Sequence, residues 1–188
     1  DIFTLPSNSV WTIEEDAQKN VWIGTYSGGL CYLNFQETSR FRTFSPRENG
    51  LNHKVVSGFA EDDESLWIAT EGGGVNRMNK KTGEFRYYTH NPSRNSLTYD
   101  NVKSLLIDPS QNLWVAMYRG GLDCFSHKTS AFKRFNKDYR SDNGMLTNDL
   151  RKIILEADSG LWISYQSTGI SFYSFATDRF THYMSKRD

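Results

Sequence analysis

Apolar residues along this chain gather in runs of about five, separated by turn residues, and no segment sustains the 3.6-residue period of a helical face. The runs return in register. NVWIGTYSGGL (Asn20 to Leu30) is followed by SLWIATEGGGV (Ser65 to Val75), NLWVAMYRGGL (Asn112 to Leu122) and GLWISYQSTGI (Gly160 to Ile170). Anchored on Trp22, Trp67, Trp114 and Trp162, the repeat steps are 45, 47 and 48 residues. Twelve positions before each Trp stands an aliphatic residue (Val10, Val55, Val102, Leu150), six before it an acid (Asp16, Glu61, Asp108, Glu156), and seven after it a glycine (Gly29, Gly74, Gly121, Gly169). On this reading the columns align without a gap. A second signature, Thr-x-x-Phe-x-x-Phe/Tyr, closes each unit as TSRFRTF, TGEFRYY, TSAFKRF and TDRFTHY.

Each unit reads as four short strands. The first ends at the acid, the second runs through Trp to the glycine turn, the third follows the glycine and the fourth carries the paired aromatics. Four strands in about 45 residues predict an all-β fold of β-propeller blades, each a four-stranded antiparallel meander. Four blades are expected, at about 10–44, 55–88, 102–135 and 150–183, with residues 1–9 as the tail of a preceding outer strand. Small residues two after each Trp (Gly24, Ala69, Ala116, Ser164) suit a crowded inner strand, and Trp with the paired aromatics supplies wedges between blades. The glycine supplies a positive φ at the second turn. The acid caps the first turn by accepting backbone N–H bonds. Thr168 replaces the first glycine of the pair in the fourth unit, so a looser hairpin is expected there.

These columns resemble the two-component regulator propeller repeat family. The residues that carry the resemblance are EEDAQKNVWIGT with its GG and the variants EDDESLWIATEGGG, DPSQNLWVAMYRGG and EADSGLWISYQSTG, over nearly the whole chain. The resemblance implies an extracytoplasmic, periplasmic sensor of a hybrid histidine kinase of the Bacteroides type, responding to breakdown products of complex polysaccharides. Such sensors have many more than four blades, so the chain is expected to be a fragment. Fragment ends would expose apolar blade faces, and a homo-oligomer is expected, with two chains closing an eight-blade ring. The columns do not fit WD repeats, which want Gly-His and Trp-Asp, nor kelch units, which place the glycine pair before the Trp. An Asp box needs its acid five residues before Trp with a glycine between them.

Composition excludes several partners. Lys plus Arg and Asp plus Glu each number 22, so no net field draws in nucleic acid or an anionic membrane, and no apolar run is long enough to span a bilayer. Aromatic content is 14%, with 14 glycines, in keeping with strands and turns. The four histidines show no zinc-ligand spacing, and the glycine run Gly72 to Gly74 opens a strand instead of a helix. Cys31 and Cys124 face opposite sides of their strands and read as small hydrophobes, not a disulfide pair. The acidic clusters EED and EDDE lie in the repeated first turn and read as solvated turn residues. No metal, cofactor or catalytic constellation is expected.

Function is expected in what varies. The connectors SPRENGLNHK, THNPSRNSLTYDN and NKDYRSDNGMLTND share one end of the blades with the glycine turns. That face would collect Tyr26, Ser27, Glu71, Tyr118, Arg119, Gln166 and Ser167 with His53, Tyr99, Asn101, Asn148 and Asp149. Aromatic rings, amides and charges suit an oligosaccharide ligand bound without catalysis. The alternative is a non-catalytic scaffold for another protein, with a glycoside-cleaving or lyase-type propeller as a third reading.

Overall fold

The computed structural model describes residues 4–34, 38–46, 50–138 and 143–185. Sixteen strands form four antiparallel sheets of four, each in sequence order. Blade 1 holds β1 (Val10–Glu15), β2 (Val21–Thr25), β3 (Leu30–Asn34) and β4 (Thr38–Phe44). Blade 2 holds β5 (Val56–Glu61), β6 (Ser65–Thr70), β7 (Gly74–Asn79) and β8 (Phe85–Tyr88). Blade 3 holds β9 (Val102–Ile107), β10 (Leu113–Met117), β11 (Gly121–Ser126) and β12 (Ala131–Phe135). Blade 4 holds β13 (Leu150–Glu156), β14 (Gly160–Tyr165), β15 (Ile170–Ser174) and β16 (Arg179–Tyr183). First strands of successive blades pack on one another, β1 on β5, β5 on β9 and β9 on β13, so they line the axis of an all-β propeller arc. Residues 4–9 form no strand, and 1–3 lie outside the described residues, as do 47–49 and 139–142 of the connectors.

The core is three apolar wedges, one per blade junction. Trp22, Leu30, Val56, Ile68 and Met78 fill the first, Trp67, Val75, Leu105 and Phe125 the second, and Trp114, Leu122, Ile153, Leu161 and Tyr173 the third. At the second and third junctions the Trp of one blade meets rings of its own outer strand and of the next blade, whereas at the first Trp22 meets Tyr32 and Phe44 of its own blade and Phe44 reaches Phe85 of the next. Trp67 lies 5.5 Å from Tyr88 and 5.4 Å from His127, and Trp114 lies 5.5 Å from Phe135 and 5.6 Å from Tyr173. Such ring pairs add to the area they bury.

The repeated acid does more than cap a turn. In blade 1, Asp16 accepts from the N–H of Gln18 (3.0 Å) and Asn20 (2.8 Å) and from the Trp22 indole N–H at 2.8 Å. Burial pushes this carboxyl up, but the Asn20 side chain and the indole, with the two backbone N–H groups, outweigh it and hold it below its ordinary value. Asp108 repeats the pattern with Asn112 and Trp114, and Glu156 accepts the Trp162 indole. Blade 2 corrects the gapless alignment. Its indole partner is Asp62, five residues before Trp67, not Glu61, and Val56 pairs with Thr70 as Val10 pairs with Thr25. The first turn of blade 2 is therefore one residue shorter. Glu61, freed from that role, accepts from Ala17 N of blade 1 at 2.7 Å and pairs with Lys80 at 3.3 Å.

The repeated glycines adopt the expected positive φ, from 68° at Gly74 to 93° at Gly169. At Gly74 a Cβ would overlap the carbonyl oxygen of Tyr88 at the end of the outer strand, so conformation and space both demand glycine. The same residue joins blades: Gly29, Gly74 and Gly121 donate their N–H to the carbonyls of Lys54, Asp100 and Asn148, just before the next blade. In blade 4 the turn bond from Tyr165 N to Gly169 O is 3.3 Å, against 3.0 Å from Thr25 N to Gly29 O, the looser hairpin expected where Thr168 stands.

Two positions after each glycine sits a buried residue on the third strand. Asn76 accepts the N–H of Asn52, and Asp123 accepts from Thr98 N (2.8 Å) and Thr98 Oγ1 (2.9 Å), so each clasps the connector entering its blade. Burial pushes the Asp123 carboxyl up to about 6, against the opposing pull of the Thr98 bonds, Arg134 and His90. Both cysteines are free, and burial pushes the Cys124 thiol up to about 12.

Candidate functional site at the blade axis

On each first strand the ladder skips one residue. Pairing passes from Val10 to Thr12, from Val56 to Gly58, from Val102 to Ser104 and from Leu150 to Lys152. The residues left out are Trp11, Ser57, Lys103 and Arg151. A bulge of this kind breaks the period of two and re-aims one side chain. All four bulge residues line a single axial cavity of about 400 Å³, with Thr12, Lys152 and Glu71. Blades 1 and 4 therefore both reach it.

The cavity is polar and charged, with an aromatic wall. Glu71 pairs with the ammonium of Lys103, which also lies 5.7 Å from the centroid of the Trp11 ring and 5.8 Å from that of Tyr118. Arg151 donates to Gln166 Oε1 at 3.1 Å. The Trp11 ring, 46% exposed, stands 5.1 Å from Tyr26, and the Arg119 guanidinium lies 5.3 Å from the Tyr118 ring.

Of the residues expected on the ligand face, Glu71 lines this cavity, and Tyr26, Tyr118 and Gln166 adjoin it through Trp11, Lys103 and Arg151. Arg119 reaches it at one remove, through Tyr118. The others hold the face together. His53 packs its ring against Gly72 and accepts Val55 N through Nδ1. Asn101 offers its carbonyl to Tyr118 N, and its Oδ1 is buried with no hydrogen-bond partner among the described residues. Asn148 accepts Lys137 N at 2.6 Å, Asp149 accepts Arg119 N at 3.1 Å, and Tyr99 packs against Gly120. Trp11, Ser57, Lys103, Arg151 and Lys152 escaped the sequence reading. One signal pointed there: Trp11 is the only one of five tryptophans outside the repeat column.

A larger cavity of about 560 Å³ lies between blades 1 and 2 at the opposite end, around Trp22, Tyr32, Arg42 and Lys80. The polar groups of its Asp16 corner are already bonded to one another in the indole clamp. Among the described residues no group of three or more His, Cys, Asp or Glu could hold a metal ion, and no helix is long and apolar enough to cross a membrane.

Comparison with known proteins bears on this geometry. The family model described as two component regulator propeller matches residues 4–27. No curated protein matches the chain. Among solved structures, the extracellular domain assigned to a hybrid two component system of B. thetaiotaomicron superposes with a TM-score of 0.84 at 24% identity, over 96% of this chain and 25% of that one. A second B. thetaiotaomicron extracellular domain, assigned to a one component system, gives 0.76 at 19% identity over 97% and 25%. Virginiamycin B lyase of Staphylococcus aureus, in complex with quinupristin, gives 0.69 at 14% identity over 98% and 59%. The chain thus spans about a quarter of the length of the two B. thetaiotaomicron domains. The match to the two component regulator propeller model is thus confined to residues 4–27, around the first two strands of blade 1, and what the chain shares with these solved structures is the propeller fold.

Proposed function

We propose that the chain is the ligand-sensing propeller module of an extracytoplasmic sensor, binding a polysaccharide-derived oligosaccharide and passing the signal on by conformational change. The observation that carries the reading is the repeated bulge. Four equivalent positions, relieved of ladder pairing, turn four different side chains into one cavity, while the surrounding columns repeat. A structural scaffold has no need of such variety at its axis. The likeness to extracellular domains of two component sensors supports a periplasmic place and a histidine kinase partner in the parent protein. No catalytic step is assigned to this chain. A homo-oligomer belongs to the same reading, since Ile154 and Ile170 beside Trp162 leave an exposed apolar face on blade 4.

Thermal melting against a panel of plant and host oligosaccharides, with chromatography of the sugar over hours, tests the proposal. A sensor raises the midpoint by mass action and leaves the sugar intact. Loss of the sugar would make the chain an enzyme, and indifference to every sugar would favour a protein-binding scaffold. Light scattering reads the oligomeric state on the same sample.

A further inference from the structure

Resting on that sensory reading, we propose that the axial cavity takes an acidic sugar, its ring stacked on Trp11 and its carboxylate or sulfate held by Arg151 and Lys152. The charge balance of the cavity is the first ground. Its single carboxylate, Glu71, is already paired with Lys103. Arg151 meets only the neutral amide oxygen of Gln166, and among the described residues no acid reaches Arg151 or Lys152. Two cations therefore stand uncompensated at the wall of a concave site in a chain whose net charge is zero, and concave walls focus their field on what enters.

The second ground is Trp11. Trp22, Trp67 and Trp114 are buried in the blade junctions and Trp162 is half-buried, whereas Trp11 lies open at the axis. Its ring is steadied by Tyr26 on blade 1 and by the Lys103 ammonium from blade 3. A large ring held in the open, contributing nothing to a wedge, is a platform for a flat apolar face, and the axial face of a pyranose is one. The remaining groups suit hydroxyls. Ser57 spends its hydrogen on the Val102 carbonyl at 2.6 Å, leaving oxygen lone pairs to accept, and the Gln166 amide nitrogen keeps both its hydrogens free of protein acceptors among the described residues. A volume of about 400 Å³ is of the size that holds a short oligosaccharide end.

Titration of the intact chain, followed by tryptophan fluorescence, tests this. The probes are tri-galacturonate, a sulfated chondroitin disaccharide, neutral galactotriose and inorganic sulfate. At least one acidic sugar should perturb the emission and bind about tenfold or more tighter than galactotriose, with affinity falling as salt rises from about 50 to 500 mM. Arg151→Gln with Lys152→Gln should remove that preference and the salt dependence, while the melting midpoint of the free chain stays put because both side chains are exposed. Trp11→Ala should abolish the optical change. Equal binding of galactotriose, sensitive to Trp11→Ala, would overturn the acidic preference and leave the sensory reading standing. Binding of inorganic sulfate as tight as that of the sugars would reduce the site to one for an adventitious ion only. If no probe binds the folded chain here, the acidic site is refuted, and the sensory reading then rests on the melting panel alone. The uronate and sulfate arms tell which anion is held.

Discussion

Asp62 accepts the indole N–H of Trp67 at 2.7 Å across five residues, where Asp16 makes the same bond to Trp22 across six. The bond is kept although the turn that carries it is a residue shorter, so the clamp, not the spacing, is what the blades share. Removing the Asp62 carboxylate leaves a buried indole donor and two turn N–H groups without their acceptor. Asp62→Ala should cost about 2 kcal/mol in urea unfolding, and Glu61→Ala less than about 1 kcal/mol, since its contacts are more exposed. Equal costs would return the clamp to Glu61.

Glycine is demanded twice over at Gly74 but only once at Gly83. Both have positive φ, 68° and 74°, yet a Cβ at Gly74 would overlap the Tyr88 carbonyl, while at Gly83 nothing lies within 4 Å. Gly83→Ala should cost about 1 kcal/mol from backbone strain, and Gly74→Ala at least about 3 kcal/mol, because the outer strand must also move. Thermal and chemical denaturation measure both.

Asp123 should give blade 3 an inverted pH response. Its folded carboxyl is raised to about 6, so between the ordinary carboxylate range and about pH 6 the folded chain binds the proton that the unfolded chain has released. Its contribution is fully present below that window and is lost as pH rises through it. The stability difference between wild type and Asp123→Asn should therefore shift against wild type from about pH 4 to about pH 7. A difference that stays flat over that range would show that Asp123 ionises normally.

The five tryptophans should divide by position. Trp67→Ala empties the middle of a junction and should cost about 3 to 5 kcal/mol, while Trp11→Ala, at an open site, should cost less than about 1 kcal/mol. Urea unfolding compares them directly, and comparable losses would mean that Trp11 is part of the core.

Blade number, strand order, the glycine φ and the aromatic wedges were legible because each rests on a residue type that physical chemistry demands at that spot. Blade 2's register was not. Val55 and Val56 are both aliphatic and Glu61 and Asp62 both acidic, so either of two adjacent positions satisfies the column, and only sheet pairing chooses. The axial residues were harder still. Each bulge falls at the second residue of its strand, where too little alternation precedes it for the break to show, and Trp11, Ser57, Lys103 and Arg151 have no side-chain chemistry in common. The loop-face reading reached Glu71 in the cavity wall and Tyr26, Tyr118 and Gln166 at its edge because those positions begin the glycine turn. It also gathered Asn148 and Asp149, whose polar groups are taken up in holding connectors.

The residue skipped by each first strand carries no ladder pairing, so its identity is free of the pairing that fixes its neighbours. On the proposed sensory reading, specificity is rewritten at four codons. A library randomised at positions 11, 57, 103 and 151 alone should retain folded members at high frequency while changing what the axis admits, which would make the arc a ready chassis for new recognition.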